Sequence, residues 1–334
     1  MSRLRQLVQS FPMRGRRAWL LLAVLYVVVV RLGLYLWQPE RGTDFDLLYH
    51  AAEHFIRGEN PYPIALTWFQ YPLFYPMPAV LLAIPFTAVP LGLARPLFDI
   101  LVGSAFGYAL WVARGSYALL ALASGGYIYA LRYGQTTPLM VAASLLPAYG
   151  FLLSVKPNIG LALWLARPNR QAVIGVVAAL GVALVLLPSW PRDWLQALEH
   201  QNAHLLPPIL RPFGWLLLLA VLRWRSPEGR LLLALAVIPQ NTLPHELVPL
   251  ALIPGNLVEM AIFVVGSWLS FGAAAQALQQ VTTISAMADR IWPMLLVASY
   301  LPMLWLVLRR SSEAPVAQLS NDDAGSLTPK EDSG

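Results

Sequence analysis

Long apolar stretches separated by short polar turns dominate this sequence from about residue 18 to about residue 308. Of its 334 residues, 57% are hydrophobic and only 12% are charged, which is typical of integral membrane proteins. Because one span needs roughly 20 apolar residues, we predict an all-α polytopic membrane protein with about 10–12 transmembrane helices. Little chain remains for a separate soluble catalytic domain, so any chemistry must come from loops and helix ends.

The basic residues predict how the chain is divided and oriented. Residues 1–17 contain five arginines and are predicted to form a cytoplasmic N-terminus, because basic flanks face the cytoplasm. The transmembrane domain is expected at 18–310, with its first extracytoplasmic loop at 38–77. Residues 311–334 are polar and rich in proline, glycine and serine, which predicts a disordered cytoplasmic tail. We therefore expect a multi-pass protein of the cell membrane whose working face is extracytoplasmic.

Charge and cysteine content exclude several classes of function. The net charge of +6 does not indicate a nucleic-acid partner, because the arginines lie at helix ends and not on one polar face. The same distribution assigns Arg95 and Arg132 to the cytoplasmic side and Arg114 to the outside. The chain has no cysteine, which excludes disulfides, thiolate zinc sites and cysteine nucleophiles.

The stretch "TDFDLLYHAAEHFIRGENPY" (43–62) concentrates ionisable residues in a chain that is otherwise poor in charge. From Phe45 to Arg57, apolar and polar residues recur at spacings of three and four, as in a two-faced helix. The spacing of Thr43 and Asp46 is that of a capping box. These features predict an amphipathic interfacial helix in the first outer loop, with its polar face, including Asp46, turned to water.

Two interpretations of Asp44 follow from its position at the start of this helix. Asp44 either caps the helix, or it is a carboxylate that the helix N-terminus holds ionised and fixed in direction. A fixed carboxylate at the membrane surface suits a general base that deprotonates an alcohol. If the helix begins at Phe45, Asp46 points away from Asp44.

The letters "HAAEH" (His50 to His54) also match a zinc-protease motif. Two histidines four residues apart share a helix face and could bind zinc, with Glu53 as the base. Such a site needs a third ligand and a surrounding cleft, and matches of five letters arise by chance. His200 and His204 have the same spacing and are interpreted as a solvated helix face in an outer loop.

The residues from Asp44 to Tyr62 resemble the D-F-x-x-Y-Y-x-A-A…G-x-x-P-Y signature that follows the first span in glycosyltransferase family 87. Tyr49 matches the second tyrosine, whereas Leu48 replaces the first. Members of this family are GT-C membrane enzymes that use polyprenyl-phosphate mannose or related lipid-linked sugars. The resemblance therefore implies a GT-C-like helical bundle.

Three later segments resemble the same family more loosely. They are "GQTT" at 134–137, "VKPNIGLAL" at 155–163 and "NTLPHELVPLALIP" at 241–254. Gln135, Lys156 and His245 match family positions, whereas Thr137 stands in place of an asparagine and Glu246 in place of a second histidine. The chain also departs from the family by being short between "GQTT" and "VKPN", where a helical hairpin is expected.

The resemblance implies an inverting sugar transfer with Asp44 as the general base. Lys156 and His245 are then expected to stabilise the departing lipid phosphate, and Arg57 is a candidate for this role from its position alone. The remaining residues expected to bind substrate are Tyr49, Tyr62 and Gln135. The implied partners are a polyprenyl-phosphate sugar, a lipid or glycan acceptor and membrane lipids.

No cofactor or metal is expected. Asp44 and Asp46 spell the D-x-D motif that binds a divalent ion in some glycosyltransferases. A lipid-phosphate donor, however, carries a single phosphate that does not require a metal ion for neutralisation.

Two further functions remain as alternatives. A polytopic transporter or flippase would explain the isolated charges Arg31, Asp99 and Arg211 within apolar segments. A transporter should also show internal repeats and charges near the membrane centre, neither of which the sequence indicates. A degenerate GT-C-like scaffold without activity would explain the apparent loss of a hairpin.

Overall fold

The computed structural model describes residues 25–26, 28–30, 32–34, 42–63, 72–199, 205–281 and 283–310. Within these ranges the chain is helical apart from turns, and its β-structure is one isolated bridge between Leu206 and Gln240. The predicted cytoplasmic segments 1–17 and 311–334 lie outside the described residues. The same holds for three residues named above, which are Arg31, His200 and His204.

Beyond the helical residues between 25 and 34, the described chain forms twelve α-helices. They are α1 (Asp44–Ile56), α2 (Met77–Ala83), α3 (Leu91–Arg114), α4 (Gly125–Arg132), α5 (Thr137–Leu145), α6 (Pro157–Ala166), α7 (Arg170–Leu186), α8 (Trp190–Glu199), α9 (Pro227–Val237), α10 (Leu257–Ala277), α11 (Ile284–Met294) and α12 (Leu301–Arg309). Tighter 3₁₀ turns connect many of them, at Ile84–Ala88, Ser116–Ala123, Pro147–Ser154, Pro208–Leu210, Gly214–Arg223 and Pro244–Leu252, and a π-helical turn at Leu295–Tyr300 joins α11 to α12.

Three helices in the described part of the chain are long and apolar enough to cross a membrane. They are α3, α10 and the continuous helix Ser285–Arg309, which contains most of α11 and all of α12. Helices α7 and α8 meet at an angle of 99° and provide a fourth span if the pair is counted as one. The protein is therefore all-α with a membrane-like character, and the count of about 10–12 spans stays a prediction.

Helix α3 connects two chemically different ends of the molecule. Near its start, Arg95 donates two hydrogen bonds of 2.7 Å to Asp46 of α1. At its other end, Arg114 donates to the carbonyl oxygen of Pro254, and Arg310 donates to the neighbouring carbonyl of Ile253. More arginines gather at this second end, which we call the basic end: Arg167, Arg223, Arg230 and Arg309.

This arrangement corrects the sides assigned to Arg95 and Arg114. Arg95 lies at the end that carries α1, and Arg114 lies at the opposite, basic end. The apolar run at about 78–93 is one of the spans that hydropathy predicts, but Pro85 and Pro90 interrupt it. Its helical part, Met77–Ala88, is shorter than a span and stays beside α1. Arg132, at the end of α4, likewise lies at the α1 end, whereas the later arginines of the basic end lie together with Arg114.

Aromatic packing shows how the segment after α2 is held against α1. Phe45 stacks on Phe98 of α3 with ring centroids 4.3 Å apart, and Phe86 packs edge-on against Phe45 at 5.4 Å. The hydroxyl of Tyr49 donates to the carbonyl of Val89 at 2.8 Å. Offset and edge-on ring pairs add to the energy of burial, so this cluster fixes α1 at the start of α3.

Helix α8 lies across the same end of the molecule. Its Asp193 accepts a hydrogen bond from the amide of Asn60 at 2.7 Å. The indole of Trp194 donates to the carbonyl of Phe74 at 2.8 Å. Both contacts attach α8 to the predicted outer loop, which is therefore covered from the side of α8.

Candidate functional site

The N-terminus of α1 is organised by Thr43 and not by Asp44. Thr43 is the N-cap, and it forms the predicted capping box with Asp46, whose carboxylate accepts from the Thr43 amide at 2.7 Å. Asp46 is only 2% exposed because it also binds Arg95 in a two-pronged ion pair. The expectation that Asp46 faces water is wrong. Asp46 anchors α1 to α3, and Asp44 is left available for another role.

Asp44 is held by two side-chain donors that approach the same oxygen. Tyr75 donates its hydroxyl to Asp44 Oδ2 at 2.7 Å, and Gln135 donates its amide to the same oxygen, also at 2.7 Å. Burial, with a smaller contribution from Asp44, raises the pKa of Tyr75 well above its usual value, so Tyr75 stays protonated and remains a donor. Among the described residues no donor contacts Asp44 Oδ1. The carboxylate is thus fixed in direction with one oxygen open.

The turn at Gly134 places Gln135 beside Asp44. The backbone amide of Asp44 donates to the carbonyl of Tyr133 at 3.0 Å, which joins α1 to the end of α4. Gly134 has a φ of +61°, in the left-handed region that favours glycine. A Cβ atom at this position would lie 2.8 Å from the Cβ of Phe45. Both the conformation and the close approach require glycine.

We expect Gly134→Ala to lower stability by about 1–3 kcal/mol and to displace Gln135 from Asp44, because strain and a steric clash add at this position. Gly58→Ala is the matched control. Gly58 also has a positive φ of +80°, but a Cβ there meets nothing within 4 Å. Thermal unfolding of both variants in detergent provides the comparison, and equal losses of stability would show that the contact with Phe45 is unimportant.

Lys156 lies next to this carboxylate in the interior. Its side chain is mostly buried, and Nζ lies 3.5 Å from Gln135 Oε1 and 3.4 Å from Thr137 Oγ1. Glu246 supplies the countercharge, with Oε1 at 2.6 Å from Nζ. Gln135 therefore contacts both Asp44 and Lys156, so a negative base and a positive charge lie on either side of one amide.

His245 and Glu246 complete the cluster from the start of the Pro244–Leu252 turn. Both are almost fully buried, with His245 Nε2 3.2 Å from Glu246 Oε1. Burial and the charge of Lys156 lower the pKa of His245, which keeps the imidazole neutral near pH 7. For Glu246, burial opposes ionisation, but the charge of Lys156 outweighs it and lowers the pKa of the carboxyl group. The cluster therefore contains a neutral histidine between charged groups.

Two glycines of α4 allow close approach of two neighbours, the Pro244–Leu252 turn and α10. A Cβ at Gly126 would lie 2.7 Å from the carbonyl oxygen of Pro244, and a Cβ at Gly125 would lie 2.5 Å from that of Ser267. Such small residues let helices pack closely in membrane proteins. The end of α4 also carries Tyr129, whose ring stacks on His245 with centroids 5.8 Å apart. Close packing of α4 thus positions His245 near Gln135.

The structure brings four of the seven candidate site residues together and leaves three elsewhere. Asp44, Gln135, Lys156 and His245 belong to the cluster described above. Tyr62 supports it indirectly by donating to the carbonyl of Tyr75 at 3.2 Å. The remaining two make no contact with the cluster.

Tyr49 and Arg57 are the candidates that the fold places away from the cluster. The Tyr49 hydroxyl donates to Val89 in the packing of α1. Arg57 is exposed at the C-terminal end of α1, roughly 20 Å from Asp44 by the rise of a helix of this length. The expectation that either contacts substrate at this cluster is not supported by their positions, because a straight helix separates its two ends.

Two residues of the cluster were missed by sequence reasoning. Tyr75 lies in the aromatic segment 72–76, where nothing distinguishes it from its neighbours. Glu246 was considered only as the replacement of a histidine. One signal was available for Glu246, because a carboxylate in an apolar segment needs a buried cation and Lys156 is the lysine of the apolar body.

The "HAAEH" motif does not assemble a zinc site in the described structure. His50 Nδ1 lies 2.7 Å from Glu53 Oε2, whereas His54 pairs with Glu59 instead. Within the described ranges, no group of three or more histidine, aspartate or glutamate side chains could hold a metal ion. The motif is therefore part of the polar face of α1, and the expected absence of a metal stays a prediction.

Comparison with known proteins adds no assignment, because no family model, no curated protein and no solved structure matches this chain. The function is therefore inferred from the geometry of the cluster and from the motif residues within it.

Proposed function

We propose that this protein is a GT-C-type membrane glycosyltransferase that moves a sugar, mannose, from a polyprenyl-phosphate donor to a lipid-linked or other extracytoplasmic acceptor with inversion. One observation carries this proposal. Asp44 has one oxygen held by Tyr75 and Gln135 and the other without a donor among the described residues, and Gln135 also contacts the buried Lys156. A fixed base beside a buried cation is what transfer from a phosphate leaving group requires.

In the proposed reaction the acceptor hydroxyl gives its proton to Asp44 Oδ1. The acceptor oxygen then forms a bond to the anomeric carbon of the sugar, and the bond from that carbon to the phosphate oxygen breaks. The electron pair leaves with the lipid phosphate, whose increasing negative charge Lys156 stabilises in a site of low dielectric constant. Attack from the face opposite the phosphate inverts the configuration of the anomeric carbon.

The supporting groups have separate roles in this scheme. Gln135 and Tyr75 keep the carboxylate of Asp44 in one orientation, which general-base catalysis needs. His245 is neutral and buried, so it is available to bind the phosphate by donating a hydrogen bond. A single phosphate group needs one cation, and Lys156 provides it without a metal ion.

We also propose that the cluster faces the extracytoplasmic side of the cell membrane. The basic end, with Arg114, Arg310 and their neighbours, lies at the opposite end of α3. Helix ends rich in arginine face the cytoplasm, which leaves the α1 end outside.

Single cysteines test this orientation, since the chain has none of its own. Glu59→Cys, just after α1, is expected to react with a membrane-impermeant maleimide in intact cells, whereas Ser326→Cys in the C-terminal tail should react only after the membrane is opened. The reverse labelling pattern would place the cluster on the cytoplasmic face and exclude an extracytoplasmic acceptor.

The direct test of the activity is transfer of labelled sugar from polyprenyl-phosphate mannose by the purified protein in detergent. Transfer to a lipid or glycan acceptor supports the proposal. Binding of the donor without transfer would instead favour a scaffold or a lipid-linked sugar transporter.

A further inference from the structure

In the part of the chain that the structure describes, buried polar atoms that lack a hydrogen-bond partner among the described residues are concentrated in residues 240–246. They are Gln240 Oε1, Asn241 Oδ1, Thr242 Oγ1, both ring nitrogens of His245 and both carboxylate oxygens of Glu246. Lys156 and His245 approach Glu246 Oε1 at 2.6 and 3.2 Å, so Oε2 is the oxygen of this carboxylate that has neither an ion pair nor a hydrogen bond among the described residues. Roughly nine in ten buried polar atoms in proteins are hydrogen-bonded, so such a concentration needs an explanation.

These atoms belong to one short segment, in which Glu246 lies 2.6 Å from the lysine proposed above to bind the phosphate. Glu246 and Gln240 both interact with the side chain of Tyr300. Lys156 contacts both Glu246 and Thr137. The preceding residue, Thr136, is fully buried and its hydroxyl also lacks a partner. Elsewhere in the described chain, buried polar atoms without a partner occur singly.

The chemistry of the orphaned atoms identifies the kind of ligand that would satisfy them. The amide nitrogen of Gln240 donates to the carbonyl of Leu235, so its Oε1 faces away as a pure acceptor. The carboxylate of Glu246 also only accepts. A phosphodiester has no hydrogen to donate and cannot pair with either group. Sugar hydroxyls both donate and accept, so they can pair with these oxygens and with the hydroxyl of Thr242.

We propose that residues 240–246 form the subsite that binds the hydroxyl groups of the donor sugar, with Glu246 as the specificity-determining residue. The inference rests on the proposed function, because that function assigns Lys156 to the donor phosphate. A sugar attached to a phosphate at Lys156 comes next to Glu246, whose carboxylate lies 2.6 Å from the same lysine. Glu246 then accepts hydrogen bonds from ring hydroxyls, and Lys156 moves from Glu246 to the phosphate.

This assignment predicts opposite effects of Glu246 on two probes. The probes are citronellyl-phosphate mannose and citronellyl methyl phosphate, two phosphodiesters of equal charge, of which the second carries a methyl group in place of the sugar. The ratio of their dissociation constants measures the contribution of the sugar to binding. Both dissociation constants are measured by tryptophan fluorescence of the purified protein in detergent. In the wild type, we expect the mannosyl phosphate to bind at least about tenfold more tightly, since hydrogen bonds to charged groups contribute strongly.

Glu246→Gln should reduce this sugar-dependent gain about tenfold and tighten the binding of citronellyl methyl phosphate, because it removes an anion that competes for Lys156. Thr242→Val should reduce the gain about fivefold and leave the binding of citronellyl methyl phosphate unchanged. Thr242→Val should not lower the melting temperature of the protein without ligand, because the Thr242 hydroxyl has no hydrogen-bond partner among the described residues that the substitution would remove. If Glu246→Gln does not fold, Thr242→Val alone decides the question.

Thr87→Val is the matched control, because the Thr87 hydroxyl donates to the carbonyl of Ile84 at 2.8 Å, away from the cluster. It should lower the melting temperature and leave the gain from the sugar unchanged. A Thr242→Val variant that behaves like Thr87→Val would overturn the inference, and so would equal wild-type affinities for the two probes. Methyl α-mannoside, a sugar without a phosphate, tests whether the subsite belongs to the donor. If Thr242→Val alters the affinity for this sugar without changing the ratio of the two dissociation constants, the assignment to the donor is overturned.

Failure of the inference is separable from failure of the proposed function. Sugar transfer with equal affinity for the two probes would reject the subsite and retain the glycosyltransferase. A sugar-dependent gain that Thr242→Val reduces, without any transfer, would retain the subsite and reject the reaction.

Discussion

Asp44→Asn is expected to lower the rate of sugar transfer at least about a hundredfold while the protein folds and binds its donor normally, because the loss of a general base has this minimum effect. The N-cap of α1 is Thr43, so the substitution leaves the capping box intact. An asparagine oxygen can still accept from Tyr75 and Gln135, which keeps the neighbouring side chains in place. The turnover number, the dissociation constant of the donor and the melting temperature measure the three parts of this prediction.

Asp46→Asn is the matched control, two residues away on the same helix. It weakens the two-pronged ion pair with Arg95 in a largely buried location, so we expect a loss of about 2–3 kcal/mol in stability. The folded fraction should keep turnover within a few fold of the wild type. If Asp44→Asn is fully active and Glu53→Gln is inactive with zinc bound, the site belongs to the "HAAEH" motif instead.

Lys156→Met is the second substitution with a large expected effect, and it acts in two ways. It removes the cation proposed to stabilise the leaving phosphate, which should reduce transfer by about a hundredfold to a thousandfold. It also leaves Glu246 charged and buried without its partner, with an expected loss of about 3–5 kcal/mol in stability.

The double variant Lys156→Met/Glu246→Gln separates these two effects. Removing both charges should return stability to within about 1–2 kcal/mol of the wild type, since a buried ion pair is often replaceable by neutral groups. Transfer should stay at least about tenfold below that of Glu246→Gln alone, because the phosphate still lacks its cation. Equal transfer by the double variant and Glu246→Gln would show that Lys156 serves only to neutralise Glu246.

Local sequence signals predicted the elements that short-range interactions determine. The capping box of Thr43 and Asp46 and the two-faced pattern after it predicted α1 to within one residue at each end. The apolar run at 257–277 predicted α10, because it contains no proline and its one charged residue, Glu259, lies in the first turn. In both cases the determining residues lie within a few turns of each other.

The fold beyond these elements depends on contacts that a local pattern does not contain. Hydropathy alone predicts a membrane span here, whereas Pro85 and Pro90 leave a helical part, Met77–Ala88, that is shorter than a span. The chain therefore reaches Arg95 at the α1 end, and the ends expected for Arg95 and Arg114 are exchanged. The burial of Asp46 follows from Arg95, a residue 49 positions away. Without that partner, an aspartate on a helix face is expected to meet water.

The candidate site was predicted in part because motif positions carry information about long-range contacts. Asp44, Gln135, Lys156 and His245 lie far apart in the sequence, yet they share one cluster. Their grouping was expected from the resemblance and not from any local pattern. Tyr75 and Glu246 were missed because each acquires its role only from a distant partner, Asp44 for the tyrosine and Lys156 for the glutamate.

The configuration of the transferred sugar tests the central claim most directly. Purified protein is supplied with polyprenyl-phosphate mannose labelled at the anomeric carbon, and the product is analysed by NMR. The proposed mechanism predicts that the new glycosidic bond has the anomeric configuration opposite to that of the donor, with Asp44→Asn forming almost no product. Retention of configuration, or equal product from the wild type and Asp44→Asn, would contradict a single displacement with Asp44 as the base.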